Sequence, residues 1–254
     1  MELVIAQDRL GLGSYAGNLA AEVIRLALLS KPTVRLVVAT GSSQFEVLDK
    51  LVGAAGIDWQ RVEAFHLDEY IGLSMDHPAS FCGYLKKRFV DRVPLKSFMY
   101  LDGTQEPFQM CQTAATSIWS SPIDLALVGI GENGHLAFND PPADFQTTDA
   151  FRIVELDDMS RQQQVGEGWF DNLDEVPRRA MSMTVYQIMQ SKKIICSVPD
   201  RRKSQAVVNA IEGIVTPNVP ASILQTHGNV TTILDLGSSE LLSVQLKSLA
   251  LQVD

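Results

Sequence analysis

Cysteine is scarce in this sequence, and its placement excludes two kinds of stabilising site. The 254 residues contain three cysteines, Cys82, Cys111 and Cys196. They are odd in number, far apart and form no C-x-x-C pair, so we expect neither a disulfide framework nor a cysteine-based zinc site. Because free thiols are typical of a reducing compartment, the sequence predicts a cytoplasmic protein.

Long apolar runs and positive charge are also lacking. No stretch reaches the ~18 uninterrupted apolar residues that span a bilayer, and no basic patch precedes an apolar run near residue 1. The 21 Lys and Arg residues are outnumbered by 30 Asp and Glu, which gives a net charge of −9. A negative field repels nucleic acids and anionic membranes, so neither is an expected partner. An anionic ligand must therefore meet a local positive site.

The chain has no internal repeat, low-complexity tract or composition break, which predicts a single domain over residues 1–254. Short apolar runs alternate with amphipathic segments, as in a doubly wound, mostly parallel α/β sheet with helices on both faces. Residues 140–180 are the exception and are interpreted as a mobile flap. The predicted strands are 34–39, 62–67, 125–128, 194–198 and 230–234, and the predicted helices are 16–31, 44–56, 83–93, 110–121, 203–213 and 240–252.

Polar side chains follow the first two of these strands, where a parallel sheet collects its ligands. Thr40-Gly41-Ser42-Ser43 precedes a helix and suits a phosphate, although an ordinary helix N-cap is the alternative. Asp68 and Glu69 follow the second strand. A partly desolvated Asp beside another acid has a raised pKa and suits a general base, whereas solvent-facing acids are the alternative.

A glycine-rich segment follows the third strand. Residues 129–134 match G-x-G-x-x-G, but Pro141 and Pro142 leave no room for the helix that a dinucleotide site needs. The segment places His135 near acidic and amide side chains, which suits proton shuttling, and a structural histidine is the alternative. After the fourth strand, three bases ending at Lys203 open a helix, where a bound anion would relieve the conflict with the helix dipole; a solvated basic turn is the alternative.

Together these segments resemble the glucosamine-6-phosphate deaminase (isomerase) family, in the group that includes 6-phosphogluconolactonases. The resemblance covers nearly the whole chain, and its most specific part is Gly-His-x-Ala-Phe-Asn at residues 134–139. It implies cofactor-free conversion of an amino-sugar 6-phosphate into a ketose 6-phosphate and ammonia. A 6-phosphogluconolactonase and a non-catalytic sugar-phosphate sensor remain as alternatives. The family includes hexamers and monomers, so a homo-oligomer is left open.

The resemblance also implies roles for individual residues. Asp68 would move the C2 proton to C1, and His135 would assist ring opening. Residues 157–176 look like the family's lid. Phosphate contacts would come from Thr40, Gly41, Ser42, Ser43 and Lys203, and the remaining pocket from Glu69, Gly131 and Gly134.

Two positions around His135 depart from the family's pattern. The family's Asp two residues before the histidine is Asn133 here, and its Glu five residues after it is Asp140. An amide can accept an N–H from the His135 ring and orient it, but it supplies no charge. Asn133 and Asp140 are therefore both candidate catalytic residues, with Asp140 as the charged partner.

Overall fold

The computed structural model describes residues 1–254, and its centre is an eight-stranded sheet in which every pairing is parallel. The strands are β1 (Glu2–Ala6), β2 (Val34–Val38), β3 (Val62–His66), β4 (Asp68–Tyr70), β5 (Ser97–Met99), β6 (Leu125–Val128), β7 (Phe151–Glu155), β8 (Arg179–Met183), β9 (Ile194–Val198), β10 (Val230–Asp235) and β11 (Leu251–Val253). The large sheet has the order β11-β1-β10-β9-β6-β2-β3-β5. The three remaining strands form a second, antiparallel sheet in the order β4-β8-β7.

Helices cover both faces of the large sheet and bury a separate apolar core on each. The helices are α1 (Arg9–Ser30), α2 (Phe45–Val52), α3 (Phe81–Arg88), α4 (Pro107–Trp119), α5 (Asp158–Gly166), α6 (Val185–Met189), α7 (Ser204–Ile211) and α8 (Val244–Leu249). Along β2, Leu36 belongs to the core under α1, α2 and α3, while Val37 belongs to the core under α4 and α7. The doubly wound fold is therefore confirmed. None of these helices combines the length and the apolar character that a membrane span needs.

The first helix begins earlier than the sequence indicated. Asp8 caps it by accepting a hydrogen bond from the Gly11 amide. Glycines in its first turns allow α2 to pack closely, because a Cβ on Gly13 would lie 2.1 Å from the Cβ of Glu46. These glycines, which disfavour a helix locally, are thus required by packing between helices.

The chain reverses its direction of travel across the sheet between β2 and β6. From β2 it moves outward through β3 to β5, then returns to β6 on the other side of β2 and continues to β9 and β10. Ligands of open parallel sheets bind at such a switch point, beyond the carboxyl ends of the strands. The four central neighbours, β9, β6, β2 and β3, are the strands that the candidate site residues follow.

The interpretation of residues 140–180 as irregular was wrong. This region contains β7, α5 and the first two residues of β8. Within it, Phe170 and Val176 pack into a third apolar cluster with Tyr70 and Phe138. The segment 157–176 is called the lid segment below.

Candidate active site

The carboxyl ends of β9, β6, β2 and β3 enclose a cleft. The cleft brings together side chains from loops that are far apart in sequence. Of the residues selected from the sequence, it is lined by Thr40, Gly41, Ser42, Ser43, Asp68, Gly131, His135 and Lys203.

One end of the cleft is the loop from Thr40 to Ser43. Gly41 has φ of +86°, a left-handed conformation that favours glycine, and a short 3-10 turn follows it. The loop is tied to the neighbouring strand because Gln44 Nε2 donates to the Val128 carbonyl at 3.2 Å. Backbone N–H groups at the start of such a turn lack helical partners, and this arrangement can bind an anion.

Lys203 lies at the same end, on a 3-10 turn, Arg201–Lys203, that precedes α7. The expectation of one helix that opens on three bases was wrong, since α7 begins at Ser204. Protein carboxylates, and not a bound anion, balance the positive charges at this helix start, because Arg201 pairs with Glu240 at 2.6 Å and Arg202 with Asp200 at 2.8 Å.

The Lys203 side chain is only 8% exposed and lies between two carboxylates. Its Nζ is 3.6 Å from Glu167 of the lid segment and 3.9 Å from Glu132. Burial lowers the pKa of Lys203, and the two acids partly offset that effect. Lys203 is therefore a buried cation already held by protein acids.

Asp68 also lines the cleft, as the first residue of β4, opposite Ser182 of β8. The residue is 6% exposed, and no protein group donates a hydrogen bond to its carboxylate. Burial, with a smaller contribution from the charge of Glu69, raises the pKa of Asp68 to about 8. An unpartnered carboxyl with a raised pKa can act as a general base.

Glu69 does not line the cleft, so its expected place in the substrate pocket was wrong. Its buried carboxylate faces the start of α3, where it accepts hydrogen bonds from the amides of Phe81 and Cys82 and from the Ser80 hydroxyl. Since successive side chains of a strand point to opposite sides, Asp68 and Glu69 face different surroundings. Glu69 anchors α3 instead. Its carboxylate also lies within 4.8 Å of buried ligand atoms of His66 and Cys82.

His135 lies over Gly131, and a Cβ there would come within 2.2 Å of the imidazole ring. The ring Nδ1 lies 2.9 Å from Ser160 Oγ and 3.2 Å from Asp140 Oδ1. Burial alone would raise the pKa of Asp140, but the hydrogen bonds and charge of His135 and the bond from Ser160 keep it below its ordinary value. No protein group hydrogen-bonds to Nε2, which remains available to a ligand.

Asn133, Gly134 and Asp140 lie outside the cleft lining, in the layer behind His135. Asn133 Oδ1 accepts from the backbone amide of His135 at 3.0 Å and not from the ring, so the expected ring contact was wrong. Its Nδ2 donates to Asp140 and to Asp157. Gly134 adopts φ of +86° near Val219, and its expected place in the substrate pocket was wrong. The carboxylate beside the ring is that of Asp140.

The contribution of α5 to the cleft was not predicted from the sequence. Gln163, Gln164 and Glu167 line it, and Ser160 touches His135. A signal was present, because Asp157 is a favourable N-cap residue and its side chain accepts from the Ser160 amide at 2.6 Å. The run of glutamines and the two nearby glycines obscured this helix.

Comparison with known proteins matches residues 8–233 to the family described as glucosamine-6-phosphate isomerases/6-phosphogluconolactonase. The glucosamine-6-phosphate deaminase of Clostridium acetobutylicum is 34% identical over 230 residues, which cover 88% of this chain and 94% of that protein. The chain belongs to this family. Another relative in it, the glucosamine-6-phosphate deaminase of Oenococcus oeni, is 37% identical over 206 residues, covering 81% and 85% of the two chains.

Solved structures of the isomerase/lactonase family share the fold. A monomeric glucosamine-6-phosphate deaminase superposes with a TM-score of 0.86 at 28% identity, covering 95% of this chain and all of the other. The 6-phosphogluconolactonase of Thermotoga maritima has a TM-score of 0.76 at 16% identity, over 92% and 99% of the chains. The second likeness shows the common fold alone.

Proposed function

We propose that this chain converts glucosamine 6-phosphate into fructose 6-phosphate and ammonia. One observation carries the proposal: an unpartnered, buried carboxylate, Asp68, shares one cleft with His135 and with the loop and lysine of an anion site. Aldose–ketose isomerisation needs a base for the C2 proton, and it needs the ester group held at a distance from that carbon. The names of the relatives in the isomerase/lactonase family support the same substrate.

His135 serves the first step, opening of the pyranose ring. With Nδ1 engaged by Ser160 and Asp140, the free Nε2 takes the C1 hydroxyl proton and delivers it to O5 as the C1–O5 bond breaks. Ionised Asp140 stabilises the imidazolium that forms between these transfers. The product is the open-chain amino aldehyde.

Asp68 serves the second step. Its carboxylate removes the C2 proton to give an enolamine and returns the proton to C1. O1 takes up a proton that the amino group gives up, which leaves an imine at C2. Water then adds to the imine carbon, and ammonia leaves to give the ketose. The lid segment lines the cleft through Gln163, Gln164 and Glu167, and exclusion of bulk water protects the enolamine.

The 6-phosphate lies between the Thr40–Ser43 loop and Lys203. Backbone amides and hydroxyls of the loop donate to the ester oxygens, and the buried ammonium supplies charge. Gly131 gives the sugar and the His135 ring room to approach. Gly134 acts on the site only through the backbone, whereas Asn133 holds both the backbone amide of His135 and the side chains behind its ring.

A lactonase is the second candidate, since the isomerase/lactonase family includes this activity. Lactone hydrolysis needs a water activated by His135 but no base at C2, so it leaves Asp68 without a role. The unpartnered state of Asp68 favours the isomerase. A sugar-phosphate sensor that binds without turnover leaves both Asp68 and His135 without a catalytic role.

A substrate panel tests the proposal. Purified protein is incubated with glucosamine, galactosamine and glucose 6-phosphates, and separately with 6-phosphogluconolactone. Ammonia and fructose 6-phosphate from the first sugar support it. Acid release from the lactone alone supports the lactonase, and thermal stabilisation by a sugar phosphate without any product supports the sensor. Size-exclusion chromatography with light scattering decides between monomer and homo-oligomer.

The raised pKa of Asp68 predicts the pH dependence of the reaction. The base is active only when ionised, so kcat/KM for glucosamine 6-phosphate should rise with pH to a midpoint near pH 8 and fall about tenfold per unit below it. An initial-rate profile from pH 5.5 to 9.5 at subsaturating substrate measures this. A limb with a midpoint near pH 4 would mean that Asp68 is not desolvated in the free enzyme.

Glu167 predicts an unusual effect at the phosphate end. Its carboxylate, 3.6 Å from Lys203, repels a phosphate dianion and competes for the same ammonium. Glu167→Gln should therefore lower KM about tenfold, equivalent to roughly 1.4 kcal/mol of binding, with little change in kcat. The matched control is Glu155→Gln, at an exposed carboxylate on β7. A raised KM in Glu167→Gln would mean that the acid assists binding.

A further inference from the structure

The lid helix α5 reaches the catalytic histidine itself. Its first turn places Ser160, which is 1% exposed, with Oγ 2.9 Å from His135 Nδ1. The helix is also tied to the glycine-rich loop, because the amide of Glu132 donates to Gln163 Oε1 at 2.9 Å. A segment expected to cover the substrate thus contacts the group expected to open its ring.

The hydrogen bonds around Ser160 have one consistent direction. Its hydroxyl has a single proton, which it donates to the acceptor-only carboxylate of Asp140. Asn133 Nδ2 donates to Ser160 Oγ at 3.2 Å, and the remaining lone pair of Oγ faces His135 Nδ1. Nδ1 must then carry the proton, which leaves Nε2 as the basic nitrogen of the neutral ring.

We propose that Ser160 is a positioning residue through which the lid helix fixes the orientation and tautomer of His135, an inference that rests on the proposed ring-opening role. It also accounts for Asn133. An amide there cannot supply a charge to the ring, but it aligns the serine and the Asp140 carboxylate that do contact Nδ1. The histidine is fully supported only while α5 is docked.

The test is Ser160→Ala assayed with glucosamine 6-phosphate and with its C2-deuterated form. We expect kcat to fall about tenfold through misplacement of His135, with KM nearly unchanged. Ring opening precedes C2 deprotonation, so slowing it makes C–H cleavage less rate-limiting. The deuterium isotope effect on kcat should therefore fall to near unity.

The matched control is Ser222→Ala. Ser222 is also a fully buried serine, but its hydroxyl bonds to the backbone of Thr216 and not to the cleft. Wild-type kcat in Ser160→Ala overturns the inference. An equal loss of kcat in Ser222→Ala also overturns it. The same holds if the deuterium isotope effect of Ser160→Ala is as large as that of the wild type or larger. A wild-type protein that forms no ammonia refutes the proposed function instead.

Discussion

Replacement of Asp68 by asparagine should lower kcat for ammonia release from glucosamine 6-phosphate about 1,000-fold, the middle of the range for loss of a positioned general base. The amide has nearly the same shape but cannot take the C2 proton. Because Asp68 makes no hydrogen bond that the change would break, substrate binding should be almost unaffected. Product formation at saturating substrate measures kcat, and inhibition by a non-reacting hexitol 6-phosphate measures binding.

The same variant should not lose stability, and this separates a catalytic effect from misfolding. The folded-state pKa of Asp68, about 8, lies above the ordinary value of 3.8, so the folded protein binds more protons than the unfolded chain between those pH values. The contribution of Asp68 to stability is thus present below about pH 4 and is lost as the pH rises to 8. Asparagine has no charge to desolvate, so the Tm of Asp68→Asn at pH 8 should equal or exceed that of wild type.

Asp76→Asn is the matched control, since it makes the same chemical change at an exposed carboxylate. It should leave both kcat and Tm unchanged. Undiminished ammonia release by Asp68→Asn would remove Asp68 from the mechanism. If instead the wild type released acid from the lactone but no ammonia, and Asp68→Asn left that rate unchanged, the lactonase assignment would be the better one.

The strands predicted from the sequence are those that can be recognised from the apolar character of their own residues. β6 and β9 match their predicted bounds, and β2, β3 and β10 differ by one residue, because each is a short, fully or mostly buried run of apolar side chains. Of the missed strands, β4 and β7 depend on neighbours instead. β7 is largely exposed, and β4 is buried despite its polar sequence because β8 pairs with it.

In the candidate site, too, positions that follow from the strand order could be predicted, whereas those that depend on long-range contacts could not. The strand-end rule selected the Thr40 loop, Asp68, His135 and Lys203 because topology alone brings such ends together. It does not determine which of two adjacent acids faces the cleft. Glu69 was misassigned because the start of α3, which binds its carboxylate, lies 11 to 13 residues away in sequence. Ser160 was missed because docking of the lid helix involves long-range contacts.

Lys203→Met should produce the largest effect on binding. Methionine keeps much of the apolar stem but removes the buried ammonium, which also leaves the carboxylates of Glu167 and Glu132 uncompensated beside the ester. A hydrogen bond to a charged group contributes about 1.5–3 kcal/mol, so KM for glucosamine 6-phosphate should rise about 100-fold, while kcat changes much less. Initial rates over a wide range of substrate concentration measure both constants.

Comparison with unphosphorylated glucosamine isolates the phosphate contact. If Lys203 serves the ester alone, the ratio of kcat/KM for the phosphorylated and unphosphorylated sugars collapses in Lys203→Met, because only the first substrate uses the ammonium. Lys87→Met, at an exposed lysine on α3, should preserve the ratio. A preserved ratio in Lys203→Met would place the ester elsewhere. In the double variant, Glu167→Gln should recover part of the lost binding, because it removes the repulsion between that carboxylate and the dianion. The part of its effect that comes from freeing the ammonium should be absent without Lys203, so the two changes should not be additive.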